Sequence, residues 1–462
     1  MEKNILMNTD SYKVGMWAMY PDNVQNVFSY IESRGGKHRN TVFMGPQAFI
    51  KEYLLNPLTK ADVKEAIDVW TAHGLNVNEK GLLDIVNKHG GYLPLRIRSI
   101  AEGTILPIKN IMVSVEATDE EFRWLPTWVE TALLRSVWFP TTVATESYHI
   151  KQDIRAGLEK SGDVAGLNFK LHDFGARGTA SYESSVLGGM AHLVNFAGTD
   201  TIAGIRGAMK YYNAGVCGFS IPASEHSIST SWGRENEPGY VRQMIAAASK
   251  QTIFANVADT YNVFEFVKML GNELREEVQA LGKQGRTMVV RPDSGDPVQT
   301  PVKVIEMLLD LFGFEVNNKG YKVLPSFIRV IQGDGIERET INQIIDLLIS
   351  KGISIDNIAF GMGGKLLGAP QRDDQKFAMK ASAIKVDGVW KGIAKDPITD
   401  PGKKSKEGRL TLVENHGLGS ISVQTVDEKH VGHRPDLMKT IYENGELMNE
   451  ISFDEVRKNA NF

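Results

Sequence analysis

Two hydrophobic patterns alternate along the middle of the chain, roughly over residues 167–380. Short runs such as 288–290 and 358–360 are apolar throughout, as in strands buried on both faces, and 328–331 is apolar except for Arg329. Segments 302–312 and 340–351 are instead apolar at spacings of three and four, which predicts helices. This alternation predicts parallel strands, and about seven units favour a closed or nearly closed β/α barrel in an α/β fold. A doubly wound open sheet is the structural alternative.

A marker residue follows or ends each of the seven apolar runs. Folds of both kinds place their active sites at the carboxyl ends of parallel strands, so these positions are the first candidates for chemistry. The markers are Phe174, Asp200, His226, Asp259, Arg291, Gly333 and Gly361.

The regions on either side lack the regular alternation. Residues 1–150 mix strand-like segments, such as 27–32, with helix-like ones, such as 61–73, and predict the first part of an α+β domain. The barrel is assigned to residues 151–380. We expect residues 381–462 to pack back on the amino-terminal region and complete the α+β domain.

Composition narrows the class of protein. The 462 residues carry a net charge of −4 with a pI near 6.2, which argues against a general nucleic-acid binder. No signal-peptide core and no membrane-length apolar run is present, so no membrane partner is predicted. Cys217 is the single cysteine, which excludes an internal disulfide and suits a reducing compartment. These features predict a cytoplasmic protein.

Two late glycine loops are candidate phosphate sites. Walker, zincin, nucleophile-elbow and complete dinucleotide-binding motifs are absent. Gly333-Asp334-Gly335 and residues 361–364 each follow a predicted strand and precede a helical segment, and glycine lets backbone N–H groups approach an anion. Tight turns are the alternative interpretation.

Charged residues at the other strand ends suit a sugar phosphate. Arg291 can hold an anionic or planar group, and Asp293 can accept both hydroxyl hydrogens of a ribose diol. Asp259 and Asp334 are oxygen ligands for a Mg²⁺ ion bound to substrate phosphates, and His226 can donate to a phosphate. Further positive charge comes from Arg372, Lys380, Lys395 and Lys403.

Residues 170–178, Lys-Leu-His-Asp-Phe-Gly-Ala-Arg-Gly, add a means of gripping a flat ring. Their approach, 167–171, is predicted to be a strand. Phe174 then offers a stacking face, and Arg177 offers a guanidinium. Phosphate loops, a diol acceptor and an aromatic clamp together indicate a phosphoribosyl donor that meets a flat heterocycle.

These motifs, in this order, resemble the nicotinamide phosphoribosyltransferase family of type II phosphoribosyltransferases. The resemblance extends from Thr9-Asp10-Ser11-Tyr12-Lys13 to residues 452–460 and includes Gly198-Thr199-Asp200-Thr201 and Arg291-Pro292-Asp293-Ser294-Gly295. It implies an irregular β/α barrel joined to an α+β domain. It also implies transfer of phosphoribose to nicotinamide for NAD salvage, by a homodimer with shared active sites.

The resemblance also implies residue roles. Phe174 and the partner subunit's Tyr12 would stack on the two faces of nicotinamide, Asp200 would accept from its carboxamide NH₂, and Arg291 would contact the ring as well as the donor. The catalytic positions implied are His226, Asp259, Arg291 and Asp293. The implied phosphoribosyl and phosphate positions are Arg177, His226, Asp293, Gly333, Asp334, Gly363, Gly364, Arg34, Arg372, Lys380, Lys395 and Lys403.

The same resemblance implies two cofactors and shows where this sequence differs from the family pattern. Mg²⁺ is expected to bind mainly through the substrate pyrophosphate, near Asp259 or Asp334, with no assigned protein ligand set. ATP is expected to stimulate the reaction, with His226 as the phosphorylated residue. Three positions depart from the family pattern: Ala378 replaces a phosphate-binding serine, Ala176 a tyrosine and Lys365 a glycine.

Asp200 predicts the choice of substrate, because its carboxylate accepts from an amide but repels the carboxylate of nicotinate. A nicotinate phosphoribosyltransferase is the nearest alternative function. A sugar-phosphate lyase or isomerase on the same barrel would need a reactive lysine, for which Lys170 is the nearest candidate. A binding protein that retains the fold without catalysis would tolerate loss of Phe174 and Asp293, and both are present.

Overall fold

The computed structural model describes residues 4–399, 403–417 and 420–462. The chain divides into two compact units. Unit 1 comprises Met1–Thr145, Ala208–Ala214 and Gln371–Asn461, and unit 2 comprises Glu146–Gly207, Gly215–Pro370 and Phe462. In the described ranges, no helix is both long enough and apolar enough to cross a membrane.

The amino-terminal segment supplies several strands and helices, and one of these helices begins at a clear capping box. The Thr59 hydroxyl accepts a hydrogen bond from the Asp62 amide, and the Thr59 backbone N–H donates to the Asp62 carboxylate at 2.7 Å, a capping box that fixes the start of the second helix. Its elements are β1 (Val24–Ser33), β2 (Asn40–Val42), β3 (Leu95–Ser99), β4 (Ile105–Pro107) and β5 (Ile111–Ala117), with α1 (Pro46–Phe49), α2 (Lys60–Ala72), α3 (Glu79–His89), α4 (Leu125–Trp128) and α5 (Glu130–Ser161).

The middle of the chain alternates strand and helix as the pattern predicts. Its strands are β6 (Leu171–Asp173), β7 (Gly198–Thr199), β8 (Ile253–Val257), β9 (Thr287–Arg291), β10 (Glu315–Val316), β11 (Lys322–Val323), β12 (Ile328–Gln332) and β13 (Ile358–Met362). Its helices are α6 (Tyr182–His192), α7 (Ile202–Tyr212), α8 (His226–Ser231), α9 (Glu237–Ala247), α10 (Val263–Gly271), α11 (Arg275–Lys283), α12 (Gln299–Phe312), α13 (Arg338–Ser350) and α14 (Gly364–Leu367).

Six of these strands form a parallel sheet in the order β7-β6-β13-β12-β9-β8. Parallel bridges Gly198↔Phe219 and Ala223↔Ala255 join the two outer strands through the intervening segment, which closes the sheet into a ring. The Thr199 amide donates to the Phe219 carbonyl at 2.9 Å, and the Ala255 amide donates to the Pro222 carbonyl at 2.8 Å. The predicted β/α barrel is confirmed, and its seventh strand position is this short bridged segment.

One predicted strand is wrong. Residues Val164–Phe169 form a 3₁₀ helix, and β6 begins only at Leu171. Asp163 caps this helix by accepting from the Ala165 amide at 2.9 Å. Phe169 is about half exposed, whereas Leu167 and Leu171 are buried, so burial along 167–171 does not follow the pattern of a strand buried on both faces.

The carboxyl-terminal segment completes the sheet of unit 1. That antiparallel sheet has the order β15-β14-β1-β5-β3-β18-β19, so its strands come from both ends of the chain. The new elements are β14 (Phe377–Val386), β15 (Val389–Gly392), β16 (Leu410–Gly417), β17 (Ser420–Asp427), β18 (Lys439–Glu443), β19 (Glu446–Leu447) and α15 (Phe453–Asn459).

Candidate active site

A cavity of about 620 Å³ lies at the carboxyl ends of the barrel strands in unit 2. Nine of the predicted site residues line it, although they are dispersed over almost 200 positions of sequence. They are Phe174, Arg177, Asp200, His226, Arg291, Asp293, Gly333, Gly363 and Gly364.

The Phe174 ring rests on an apolar cluster inside the barrel. Ala255, Val289 and Ile331 form this cluster, one each from β8, β9 and β12. The Phe174 amide donates to the Met362 carbonyl at 2.9 Å, which ties the residue to the end of β13. A Cβ at Gly361 would lie 2.0 Å from Phe174 Cε2, so this glycine makes room for the ring.

Gly361→Ala is expected to displace the Phe174 ring and raise the KM of the ring-containing substrate about tenfold, because a stacking contact is worth roughly 1 kcal/mol or more. Gly166→Ala is the matched control, since a Cβ at Gly166 meets nothing within 4 Å. Steady-state kinetics on both variants test this. Equal KM values in the two would show that the ring position does not depend on Gly361.

Asp200 follows β7 and is exposed at the cavity. Its backbone N–H donates to the Asp173 carbonyl at 2.9 Å. The Ser220 hydroxyl donates to Asp200 Oδ1. The carboxylate is therefore held from one side and can accept a hydrogen bond from a ligand through Oδ2. Ser220 had no predicted role, because its contact with Asp200 joins residues 20 positions apart that only the bridged barrel brings together.

His226 and Asp259 form a hydrogen-bonded pair. His226 Nε2 lies 3.0 Å from Asp259 Oδ1, and the Ser294 hydroxyl donates to Asp259 Oδ2 at 2.5 Å. The Asp259 side chain is 7 % exposed and that of His226 is 44 % exposed. The buried carboxylate thus orients an accessible imidazole. Asp259 contacts His226 and positions its ring, whereas His226, and not Asp259, lines the cavity.

Arg291 and Asp293 form an ion pair at the end of β9. Arg291 Nη1 lies 2.9 Å from Asp293 Oδ1, and Arg291 Nη2 donates to the Ser224 carbonyl at 3.1 Å. The arginine side chain is 15 % exposed and the aspartate 29 %, so the pair is fixed but still open to a ligand. A guanidinium and a carboxylate side by side can address a phosphate and a diol of the same sugar.

Gly335 and Gly178 lie where a larger side chain would collide with neighbouring atoms. Gly335 has φ of +65°, and a Cβ there would lie 2.8 Å from Pro297 Cβ. A Cβ at Gly178 would lie 2.7 Å from the Gly364 Cα, so the turn after Phe174 packs directly on the start of α14. Asp334 is exposed and is not part of the cavity lining. Lys365 pairs with Glu337 at 2.9 Å.

The part of the chain that the structure describes has no cluster of side chains able to hold a metal ion by itself. Over residues 4–399, 403–417 and 420–462, no group of three or more His, Cys, Asp or Glu side chains is placed to hold a metal ion. Asp259 and Asp334 are hard oxygen donors of the kind that Mg²⁺ accepts, one near His226 and one beside Gly333. Because these two carboxylates do not form a cluster, they suit a Mg²⁺ ion that is held mainly by the oxygens of a substrate.

The remaining predicted residues belong to unit 1. Burial lowers the pKa of Lys380, and the positive charges of Arg34, Lys395 and Arg372 lower it further, against the opposing effect of Glu130. These four cations therefore form one electrostatic cluster.

Lys403, Tyr12 and Ala378 also belong to unit 1. Lys403 is exposed, and Tyr12 is 63 % exposed. Ala378, which departs from the family pattern, is buried in β14 opposite Glu32 of β1.

Lys170 does not suit the lyase or isomerase alternative. Its ammonium group is buried and donates to the carbonyls of Ile355, Asp356 and Ile358 at 2.9, 3.2 and 2.8 Å. Burial lowers its pKa to about 8. Because Lys170 precedes β6, it lies at the amino end of the strand, away from the cavity at the carboxyl ends.

The fold is that of the type II phosphoribosyltransferases. A nicotinate-nucleotide pyrophosphorylase from Pyrococcus furiosus superposes with a TM-score of 0.63 at 18% identity, covering 100% of this chain and 98% of that one. Human nicotinic acid phosphoribosyltransferase gives a TM-score of 0.57 at 16% identity, covering 98% and 92%.

The chain belongs to the nicotinate phosphoribosyltransferase family, whose profile matches residues 169–446. The profile of the nicotinamide phosphoribosyltransferase N-terminal domain matches residues 4–97. A nicotinamide phosphoribosyltransferase of Xanthomonas campestris pv. campestris is 46% identical over 99% of this chain and 98% of its own length. One from Acinetobacter baylyi is 30% identical over 98% and 96%. The resemblance drawn from the motifs is confirmed.

Proposed function

We propose that this chain is a nicotinamide phosphoribosyltransferase, which joins nicotinamide to 5-phosphoribosyl 1-pyrophosphate and releases nicotinamide mononucleotide and pyrophosphate. The observation that carries the proposal is an accessible carboxylate, Asp200, in the same cavity as the Phe174 ring. Full-length similarity to the Xanthomonas and Acinetobacter enzymes named for this activity supports it. The product places the reaction in the salvage of NAD.

The reaction requires that the substrates be oriented and the developing charges be stabilised, and it requires little general-base catalysis. The bond from ribose C1 to pyrophosphate breaks as the pyridine nitrogen, which already has a lone pair, attacks C1. Positive charge develops on the ribose and negative charge on the leaving group. Phe174 and Asp200 hold the ring, Asp293 accepts from the ribose diol, and Arg291 and His226 stabilise phosphate oxygens. Such fixed charges in a preorganised site supply most of the rate enhancement expected here.

Asp200 favours the amide over the acid. Nicotinamide offers an NH₂ donor to Oδ2, whereas the carboxylate of nicotinate would place a second negative charge against Asp200. Transfer to nicotinate is the second candidate function, because the family that matches residues 169–446 is named for that substrate.

Mg²⁺ is proposed as a cofactor that enters with the pyrophosphate, where it would neutralise charge on the leaving group. Asp259 and Asp334 are the carboxylates that would contact it, directly or through water. Calorimetric titration with phosphoribosyl pyrophosphate, with and without Mg²⁺, tests this. Equal affinity in the two titrations would contradict the role.

ATP is proposed to stimulate the reaction through phosphorylation of His226. The imidazole is accessible and its Nε2 is held by Asp259, which leaves Nδ1 on the opposite side of the ring for a phosphoryl group. His226→Ala is expected to lose ATP stimulation entirely and to show no ATP-dependent phosphate label. An ATP-dependent rate increase in this variant would contradict the assignment, and Ser231→Ala on the same helix is the control.

A homodimer with shared sites is proposed from the family resemblance. The exposed Tyr12 ring and the cationic cluster around Lys380 lie in unit 1, where a second copy could bring them to a cavity of its partner. Light scattering that gave a mass near 51.2 kDa at assay concentrations would contradict the dimer. A cytoplasmic location is likewise proposed, on the basis of the single cysteine, and cell fractionation tests it.

One assay tests the proposed activity. The purified chain is incubated with nicotinamide, phosphoribosyl pyrophosphate and Mg²⁺, with and without ATP, and products are separated by liquid chromatography. We expect nicotinamide mononucleotide and pyrophosphate in equal amounts. Absence of the mononucleotide under all conditions would refute the proposal.

A further inference from the structure

Asp173 is a buried carboxylate directly behind the site and has no role in the mechanism above. It is the last residue of β6, and its side chain is wholly inaccessible. Its Oδ1 accepts from the Gly175 amide at 2.7 Å, and its backbone carbonyl accepts from the Asp200 amide at 2.9 Å. Its Oδ2 is also buried, and the hydroxyls of Thr199 and Thr201 interact with the carboxylate.

The surroundings make this carboxylate costly to ionise. Burial raises the pKa of Asp173 to about 6, and the negative charge of Asp200 contributes to the rise. The Gly175 amide and the hydroxyls of Thr201 and Thr199 oppose it. Asp173 is therefore mostly ionised at neutral pH, in spite of the burial, and a neutral side chain of the same shape would fit the space without that penalty.

The negative charge of Asp173 acts electrostatically on Asp200. The backbone hydrogen bond keeps the end of β6 next to Asp200, and the two carboxylates interact electrostatically. Of the other ionisable groups nearby, His172 is neutral at this pH because burial lowers its pKa, and Arg177 is exposed to solvent on the following turn. Neither compensates the charge of Asp173.

We propose that Asp173 is a specificity-determining residue whose buried negative charge reinforces the rejection of nicotinate by Asp200. The proposal rests on the proposed function. Asp173 does not touch the substrate; it raises the negative potential at the position where the amide NH₂ or the acid carboxylate would lie. The amide gains from that potential and the carboxylate is repelled by it.

Asp173→Asn tests the proposal, because it removes the charge and keeps the shape. We expect the ratio of kcat/KM for nicotinamide to that for nicotinate to fall about five- to tenfold, the effect of one charge a short distance behind the site. Asp310→Asn, on the exposed face of α12, is the matched control and should leave the ratio unchanged. A role limited to packing would alter stability and not this ratio.

The wild-type enzyme provides a second readout that does not depend on folding of the variant. Asp173 loses its charge as pH falls through about 6, so the ratio should decline between pH 7.5 and 5.5. A ratio that is constant over this range, or an active Asp173→Asn enzyme with the wild-type ratio, would overturn this proposal alone. Absence of mononucleotide from either base in the wild type would overturn the proposed function as well.

Discussion

Asp200→Ser is expected to abolish the preference for nicotinamide over nicotinate, a change of about 100-fold or more in the ratio of their kcat/KM values. The substitution removes the carboxylate that Ser220 holds at the cavity, and with it both the acceptor for the amide NH₂ and the repulsion of the acid. A serine hydroxyl can donate to either base, so catalysis of nicotinate should improve while that of nicotinamide declines.

The comparison needs a control for general damage. Asp346→Ser changes an exposed aspartate on α13 and should leave both substrates unaffected. Thermal unfolding of the two variants should be similar to wild type, because Asp200 is exposed. An unchanged preference in a folded Asp200→Ser enzyme would show that another group selects the base.

Arg291→Ala is expected to reduce kcat/KM by about 100-fold to 1,000-fold, the range seen when one group that stabilises charge in a transition state is removed. The guanidinium bonds the Ser224 carbonyl and pairs with Asp293, so its loss also leaves Asp293 without its cation. Arg291→Lys should restore only part of the activity, because an ammonium group cannot reproduce the planar fork that contacts both partners.

Steady-state kinetics with phosphoribosyl pyrophosphate as the varied substrate measure this effect. Arg242→Ala is the control, since Arg242 is exposed on α9 and pairs with Glu277 at 3.2 Å. If Arg291→Ala and Arg242→Ala had similar kinetics, Arg291 would have no part in stabilising the leaving group.

Much of the barrel could be predicted from sequence, because four of its strands, β8, β9, β12 and β13, are short and largely apolar and are followed by helical segments. The marker residues could be predicted for the same reason: parallel strands bring their carboxyl ends to one edge, so Phe174 and Asp200 had to be neighbours. Residues 167–171 were the exception, since the Asp163 cap and an exposed Phe169 favour a 3₁₀ helix that composition does not reveal.

The polar contacts that hold the site could not be predicted. Ser220 bonds Asp200, and Ser294 bonds Asp259, across separations of 20 and 35 residues. Serines are common on loops, and nothing in their local sequence indicates which hydroxyl faces a carboxylate. The burial of Asp173 could not be predicted either, because a carboxylate at the end of a barrel strand is ordinarily expected to face the site.

A competition experiment tests the central claim most directly. Equal concentrations of nicotinamide and nicotinate, distinguished by isotope label, are given to the enzyme with phosphoribosyl pyrophosphate, Mg²⁺ and ATP, and both mononucleotides are quantified by mass spectrometry. We expect nicotinamide mononucleotide in at least about 100-fold excess, since Asp200 lines the same cavity as the Phe174 ring. A product that is mainly nicotinic acid mononucleotide would contradict the account.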